Sequence, residues 1–291
     1  VYLPLVAKAP PYVTTVRVSV APDGTQALGW SLGASISADG RFIVFGAVSD
    51  RSGNSCNGKF GIWAIYLYDQ QTRQTNCLLK VGHTVEDRPS DRYIPAISAN
   101  GRFIAFQSFY EELLTNDKNG YQDIFTYDRL TGQTTLISIA SNGIQGNSYS
   151  SNPSLSADGR FVAFDSHASN LVVGDTNNQD DVFVHDRQTG QITRVSVALN
   201  GSQGNDRSSN PSISADGRFV AFVSEASNLV SNDTNNQEDI FVHDRLTTQT
   251  IRISQASNGT QSNNNSSLPS ISANGRFVAF VSEASNLVSN D

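Results

Sequence analysis

One short segment recurs five times along the chain and limits the folds open to it. Ile36-Ser37-Ala38-Asp39-Gly40-Arg41-Phe42 returns, with Leu for Ile or Asn for Asp, at 97–103, 155–161, 213–219 and 271–277. The turn glycines Gly40, Gly101, Gly159, Gly217 and Gly275 stand 61, 58, 58 and 58 residues apart. Residues 217–233 and 275–291 are identical. A period of this length is the mark of a repeat architecture, in which each unit buries its apolar face against its neighbours.

Within a repeat the pattern is β throughout. Asp216-Gly217 and its equivalents are hairpin dipeptides, because both residues tolerate positive φ. They join a short strand at 211–214 to a second at 218–224, where Phe219, Ala221 and Val223 face one way and Val220 and Phe222 the other. A strand apolar on both faces is one covered on both sides. A third strand follows at 239–244 and a turn at 245–249. The fourth, at 250–254, alternates Ile251 and Ile253 with polar partners, as an outer, half-exposed strand does. A Gly, Asn and Ser-rich loop then leads into the next repeat. Four short antiparallel strands per repeat predict an all-β fold, a β-propeller of four-stranded blades. A β-solenoid has shorter coils and lacks this succession of hairpins, and no segment sustains a helical period.

The run Pro211-Ser212-Ile213-Ser214-Ala215-Asp216-Gly217-Arg218-Phe219-Val220-Ala221-Phe222 resembles the TolB-like, WD40-like (PD40) propeller repeat. Asn228-Leu229-Val230, Asp233-Thr234-Asn235, Asp239-Ile240-Phe241-Val242 and Asp244-Arg245 resemble its bacterial extracellular form. The resemblance covers nearly the whole chain from about residue 13. It implies the fold and leaves function open, since propellers host unrelated activities.

The organisation expected is an extended segment at 1–12 and a propeller at 13–291. Blades fall at about 31–81, 94–139, 152–197 and 210–255, with a fifth formed by 268–291 together with 13–20. The last assignment rests on Val16-Arg17-Val18-Ser19, which matches the fourth strand Ile251-Arg252-Ile253-Ser254, and on Asp23-Gly24-Thr25-Gln26, which matches Asn258-Gly259-Thr260-Gln261. Three accounts of the last blade stay open: strands shared between the termini, with 1–6 as the missing third strand; completion by another copy, which builds a filament; or a longer protein with a further blade. Pro4 counts against the first, because an interior strand needs its N–H groups.

Composition narrows the function classes. The 291 residues carry a net charge of −7 from 20 basic and 27 acidic side chains, with no basic cluster of the kind nucleic acid requires. The longest apolar pieces, such as 219–223, are strand-sized and far short of a helical membrane span. A chain that starts at Val1 and contains no Met is expected to have lost a leader. Its two cysteines, Cys56 and Cys77, are expected to pair in a secreted protein; the alternative is two small buried hydrophobes.

The strongest candidate site is an acidic loop ahead of the third strand. It presents Asp117, Asn119 and Asp123 in the second blade, Asp175, Asn177 and Asp181 in the third, and Asp233, Asn235 and Asp239 in the fourth. Oxygen side chains at alternate positions suit calcium. The competing role is Asx-turn capping of the loop. The first blade has Ala64 in place of the last Asp, and a Cys56–Cys77 staple there.

Other constellations point away from catalysis. His185 and His243 share one repeat position with Tyr68 and Tyr127, a packing role with a polar tip. Asp165, Ser166 and His167 supply triad residue types, but neighbours on a strand point to opposite faces. Asp128, Asp186 and Asp244, each followed by Arg, lack the unlike environments that an acid–base pair needs. Trp30, Trp63 and Tyr149 are candidate stacking platforms for a sugar. The expected function is a non-catalytic secreted or cell-surface scaffold that binds a protein partner or other copies of itself. The alternatives are a carbohydrate-binding propeller and a propeller module of a larger secreted enzyme.

Overall fold

The structure, a computed structural model, describes residues 15–20, 31–48, 56, 61–84, 94–110, 113–115 and 117–289. The expected segment 1–12, the stretch 23–26, Trp30 and the side chain of His83 lie outside the described residues. Eighteen strands are named among the described residues. They form the sheets β1(Ser31–Ile36)-β2(Phe42–Val48)-β3(Ile62–Asp69)-β4(Gln74–Thr84) and β5(Ala96–Ile97)-β6(Phe103–Ser108)-β7(Asp123–Asp128)-β8(Gln133–Leu136). The third is β9(Ser150–Leu155)-β10(Phe161–Ser166)-β11(Asp181–Asp186)-β12(Gln191–Arg194), and the fourth β13(Ser208–Ile213)-β14(Phe219–Ser224)-β15(Asp239–Asp244)-β16(Gln249–Arg252). A two-stranded sheet, β17(Ser266–Ile271)-β18(Val278–Ser282), ends the series. Each strand pairs antiparallel with its sequence neighbour, as in propeller blades.

The repeated hexad builds the first hairpin of each blade. Ser214 Oγ donates to Asp216 Oδ1 (2.6 Å), the same oxygen accepts Arg218 N (3.0 Å), and Ser214 Oγ accepts Phe219 N (2.9 Å). Gly217 closes the turn at φ 74°, a conformation glycine adopts without steric cost. Arg218 then clamps Asp244 with two parallel bonds, to Oδ1 at 2.8 Å and Oδ2 at 2.7 Å. Arg41–Asp69, Arg102–Asp128 and Arg160–Asp186 repeat the clamp. The guanidinium bonds hold Asp186 and Asp244 well below the usual carboxylate range, and Asp128 down to about 2. These acids fix the hairpin to the third strand, and all four do the same work.

Two compact units emerge, Val1–Gly120 with Phe125–Thr135, and Tyr121–Ile124 with Leu136–Asp291. In the first, Ile43, Phe45, Ala64, Tyr66 and Tyr68 form a core with Val18, and Thr75 Oγ1 donates to Val18 O (3.0 Å). In the second, Val182, Val184 and Val195 of one blade pack with Ile213, Val220, Phe222 and Phe241 of the next. Val18 thus sits on the first blade as Val195 sits on the fourth.

Blades within a unit meet through a recurring joint. The Phe that opens the second strand covers the turn glycine of the following blade. A Cβ at Gly101 would lie 2.5 Å from Phe42, at Gly217 2.1 Å from Phe161, and at Gly275 2.2 Å from Phe219. The blade's own Arg stacks on the same ring, at 4.7 Å for Arg41 on Phe42 and for Arg160 on Phe161. The next blade adds a second cation, Arg129 at 3.9 Å from the Phe42 ring and Arg245 at 4.5 Å from that of Phe161. Arg129 and Arg245 also donate to the carbonyls of Gly101 and Gly217. Phe277 and Gly40 occupy the same two positions of the repeat. Phe277 is 67% exposed, and a Cβ at Gly40 would meet nothing within 4 Å.

Candidate functional site

The acidic loops are tied down by arginine. Arg194 Nη1 lies 3.3 Å from Asp175 Oδ1 and 3.1 Å from Asp181 Oδ2, and Arg252 Nη1 lies 3.0 Å from Asp233 Oδ1 and 3.6 Å from Asp239 Oδ2. Each guanidinium takes the place between two carboxylates where a cation was expected. The Asn residues aim amide nitrogens, not oxygens, at the same acids: Asn177 Nδ2 donates to Asp181 Oδ2 (3.2 Å) and Asn235 Nδ2 to Asp239 Oδ2 (2.9 Å). Their oxygens accept loop N–H groups, from Gln179 at 3.1 Å and Gln237 at 3.3 Å. This donor set does not suit calcium, which takes oxygen ligands only. Burial pushes Asp175, Asp181 and Asp233 upward, against the pull of the arginines.

One cross-strand position therefore carries three solutions. Arg194 stands opposite Phe183, and Arg252 opposite Phe241. In the first blade Cys77 stands opposite Tyr66, bonded to Cys56 with a Cα–Cα distance of 5.5 Å. In the second blade the repeat places Leu136 there, 6% exposed. Asp123 keeps the serine bond of the other blades, from Ser138 Oγ (2.5 Å), and Gln145 Nε2 (2.8 Å) holds the oxygen that arginine takes in Asp181 and Asp239. Asp117 is buried and Asn119 half-buried in that loop. Among the described residues no three His, Cys, Asp or Glu side chains converge on a metal position.

The residues of triad type go to three separate networks. Ser166 is 1% exposed and its hydroxyl donates to Tyr149 O (3.0 Å). Asp165, 2% exposed, accepts Ser151 Oγ, Asn152 Nδ2 and Asn210 N, each at 2.9 Å. Burial raises it to about 6 despite those bonds. His167 turns to Asp180, with Nδ1 at 3.0 Å from Oδ1. The packing histidines are both 4% exposed. His243 Nδ1 meets Thr250 Oγ1 (2.9 Å), whereas His185 faces Ile192, and both its ring nitrogens are buried without a hydrogen-bond partner.

Of the three aromatic platforms, Trp63 is corrected by the structure. It lies in β3 opposite Val48, 1% exposed, because both faces of that strand are covered. Tyr149 is 39% exposed. Its ring stacks on His167 at 5.4 Å between centroids with an interplanar angle of 5°, and its hydroxyl donates to Asp180 Oδ1 (2.8 Å). Burial and that carboxylate push the phenol up to about 12. Arg207 completes the group, Nε to Asp180 Oδ2 at 3.1 Å.

Sequence reasoning missed two of these arrangements. The arginine staple carried a signal, since Arg recurs at 194 and 252 but gives way to Leu136 and Cys77. The group around Asp180 also carried one, because its members break the repeat: 58 residues on, Tyr149, His167 and Asp180 become Arg207, Glu225 and Glu238.

No family model and no curated protein matches the chain. Among solved structures it is similar to TolB from Acinetobacter baumannii, with a TM-score of 0.52 and 18% identity over 87% of this chain and 49% of that one. It is also similar to a putative TolB from Agrobacterium tumefaciens, with a TM-score of 0.53 and 18% identity over 90% of this chain and 73% of that one. The chain thus spans about half the length of the first. At this identity the likeness shows the fold, an all-β propeller of TolB-like type.

Proposed function

Starting from a propeller whose repeated charges all serve its own hairpins and loops, we propose that the chain is a non-catalytic scaffold, secreted or on the cell surface, that acts through protein contacts and joins copies of itself. The observation that carries this reading is the Phe-on-Gly joint itself, which recurs between blades inside each unit at Phe42–Gly101, Phe161–Gly217 and Phe219–Gly275 and whose two halves Gly40 and Phe277 also carry. The Phe-on-Gly contact already links blades inside each unit, so a second copy presenting Gly40 to Phe277 repeats chemistry that the chain uses elsewhere. The hairpin beside it is open as well. Val281 is 55% exposed, whereas Val223, its counterpart, is 3% exposed, and among the described residues no strand pairs with the free edge of β18. An apolar strand edge is a template for strand addition, and a head-to-tail contact of this kind extends without closing. The Cys56–Cys77 bond supports an oxidising compartment.

Sedimentation velocity over a concentration series, with electron microscopy of the same samples, tests it. Wild-type chain is expected to associate, and Phe277→Ser or Gly40→Asn to shift it towards monomer. A monodisperse monomer at high concentration would overturn the proposal.

A further inference from the structure

At the seam between the third and fourth blades of the second unit, Asp180 gathers three side chains that no fold requirement repeats. Tyr149, His167 and Arg207 all bond its carboxylate, at 2.8, 3.0 and 3.1 Å. Each remains partly open: the Tyr149 residue is 39% exposed, and the His167 and Arg207 side chains 38% and 49%. One blade further on, the same positions hold Arg207, Glu225, Glu238 and Asn265, with no aromatic ring. A propeller seam therefore forms without this group, and its presence in one blade calls for another reason.

The chemistry it offers is specific. Asp180 fixes the orientation of each neighbour, so little side-chain freedom is left to lose on binding. With Nδ1 engaged by Asp180, His167 keeps Nε2 as a further hydrogen-bonding atom. Arg207 meets Asp180 through Nε rather than through its terminal amino groups, which are donors. The half-open Tyr149 ring is held in the same group by its stacking on His167 and its bond to Asp180. An imidazole nitrogen, guanidinium donors and an aromatic ring in one group match a pyranose, whose neighbouring hydroxyls both donate and accept and whose C–H face packs on aromatics. Local charge selects among sugars. Acids border the Arg207 end of the group, where Arg207 N donates to Asp206 Oδ1 (2.8 Å) and Glu225 N donates to Arg207 O (2.9 Å), and Asp180 lies within it. A uronate or sialate would meet these acids at a cost.

We infer that Tyr149, His167 and Arg207, organised by Asp180, form a binding site for a neutral glycan. This site is separate from the Phe277 and Gly40 contacts.

The test is titration of the full chain with oligosaccharides of glucan, mannan, galactan, xylan and chitin, and with acidic galacturonate and sialyl oligomers. Saturation-transfer NMR reports contact and calorimetry reports affinity. At least one neutral series is expected to bind. Tyr149→Arg and Arg207→Asn, which install residues the repeat itself carries one blade on, are each expected to weaken it by about tenfold or more. Circular dichroism confirms that both variants fold. The inference is overturned if no neutral oligosaccharide binds, if only the acidic ones do, or if both folded variants bind like wild type.

Discussion

His243 gives the structure a measurable pH dependence. Its imidazole is 4% exposed, and Thr250, whose hydroxyl donates to Val197 O at 2.5 Å, can only accept from Nδ1–H. Protonation would place a charge on this largely buried ring, and burial accordingly drives the group from 6.5 to about 4. The folded chain binds this proton less readily than the unfolded chain. Stability is therefore complete above pH 6.5 and is lost as the pH falls towards 4. The full effect is about 3 kcal/mol, of which about 2 kcal/mol is felt at pH 5. Asp165 acts in the opposite sense: raised by burial to about 6, it carries a penalty above that pH which acid relieves. Wild type alone thus shows a muted slope, and the comparison with His243→Tyr isolates the histidine. Tyr68 occupies the same register in the first blade, opposite Ile43 as His243 is opposite Val220. Melting temperatures taken from about pH 7.5 to 5 should show the variant gaining on wild type by about 5 °C at the acid end. A gap that stays constant across that range would refute the linkage.

Four further outcomes follow from the staples and joints. Arg194→Leu, which copies Leu136, leaves Asp181 buried with its cation gone and should cost about 3 kcal/mol in thermal unfolding; an unchanged melt would mean that the pair contributes nothing. Gly217→Ala meets Phe161 at 2.1 Å as well as a φ of 74°, whereas Gly40→Ala meets only the backbone term. The second should cost about 1 kcal/mol and the first at least about 2 kcal/mol more, and equal losses would remove the joint. Reducing Cys56–Cys77, which spans 21 residues, should destabilise the first unit by about 3 kcal/mol, read as a melting shift under reductant. Calcium added after chelation should leave the melt unmoved, since Arg194 and Arg252 fill the acidic loops; a clear upward shift would restore those loops as cation sites.

The fold was legible because each of its devices is local. Ser-Ala-Asp-Gly-Arg-Phe encodes a turn whose bonds all fall within six residues, and the doubly apolar run after it can only be an interior strand. Arg194, by contrast, lies 19 and 13 residues from Asp175 and Asp181, and only the folded register brings them together. Oxygen-rich spacing consequently read as a metal loop. Trp63 misled for a related reason: a lone Trp in a polar-rich chain reads as a surface ring, while β3 is buried on both faces. The Asp180 group escaped notice because attention to what repeats hides what departs from the repeat. Tyr149, His167 and Asp180 are visible once each blade is compared with the next.

The duplicated stretch at 217–233 and 275–291 places one amino-acid string in two surroundings. Val220, Ala221 and Phe222 are 0% exposed, while Val278, Ala279 and Phe280 are intermediate or exposed. Intrinsic exchange chemistry and fragment mass are necessarily equal for the two copies. In a hydrogen-exchange experiment, peptic fragments from inside the stretch would superimpose in a single isotope envelope. That envelope should split into two populations, and their separation would report what a neighbouring blade adds to an unchanged sequence. The protein carries its own matched control.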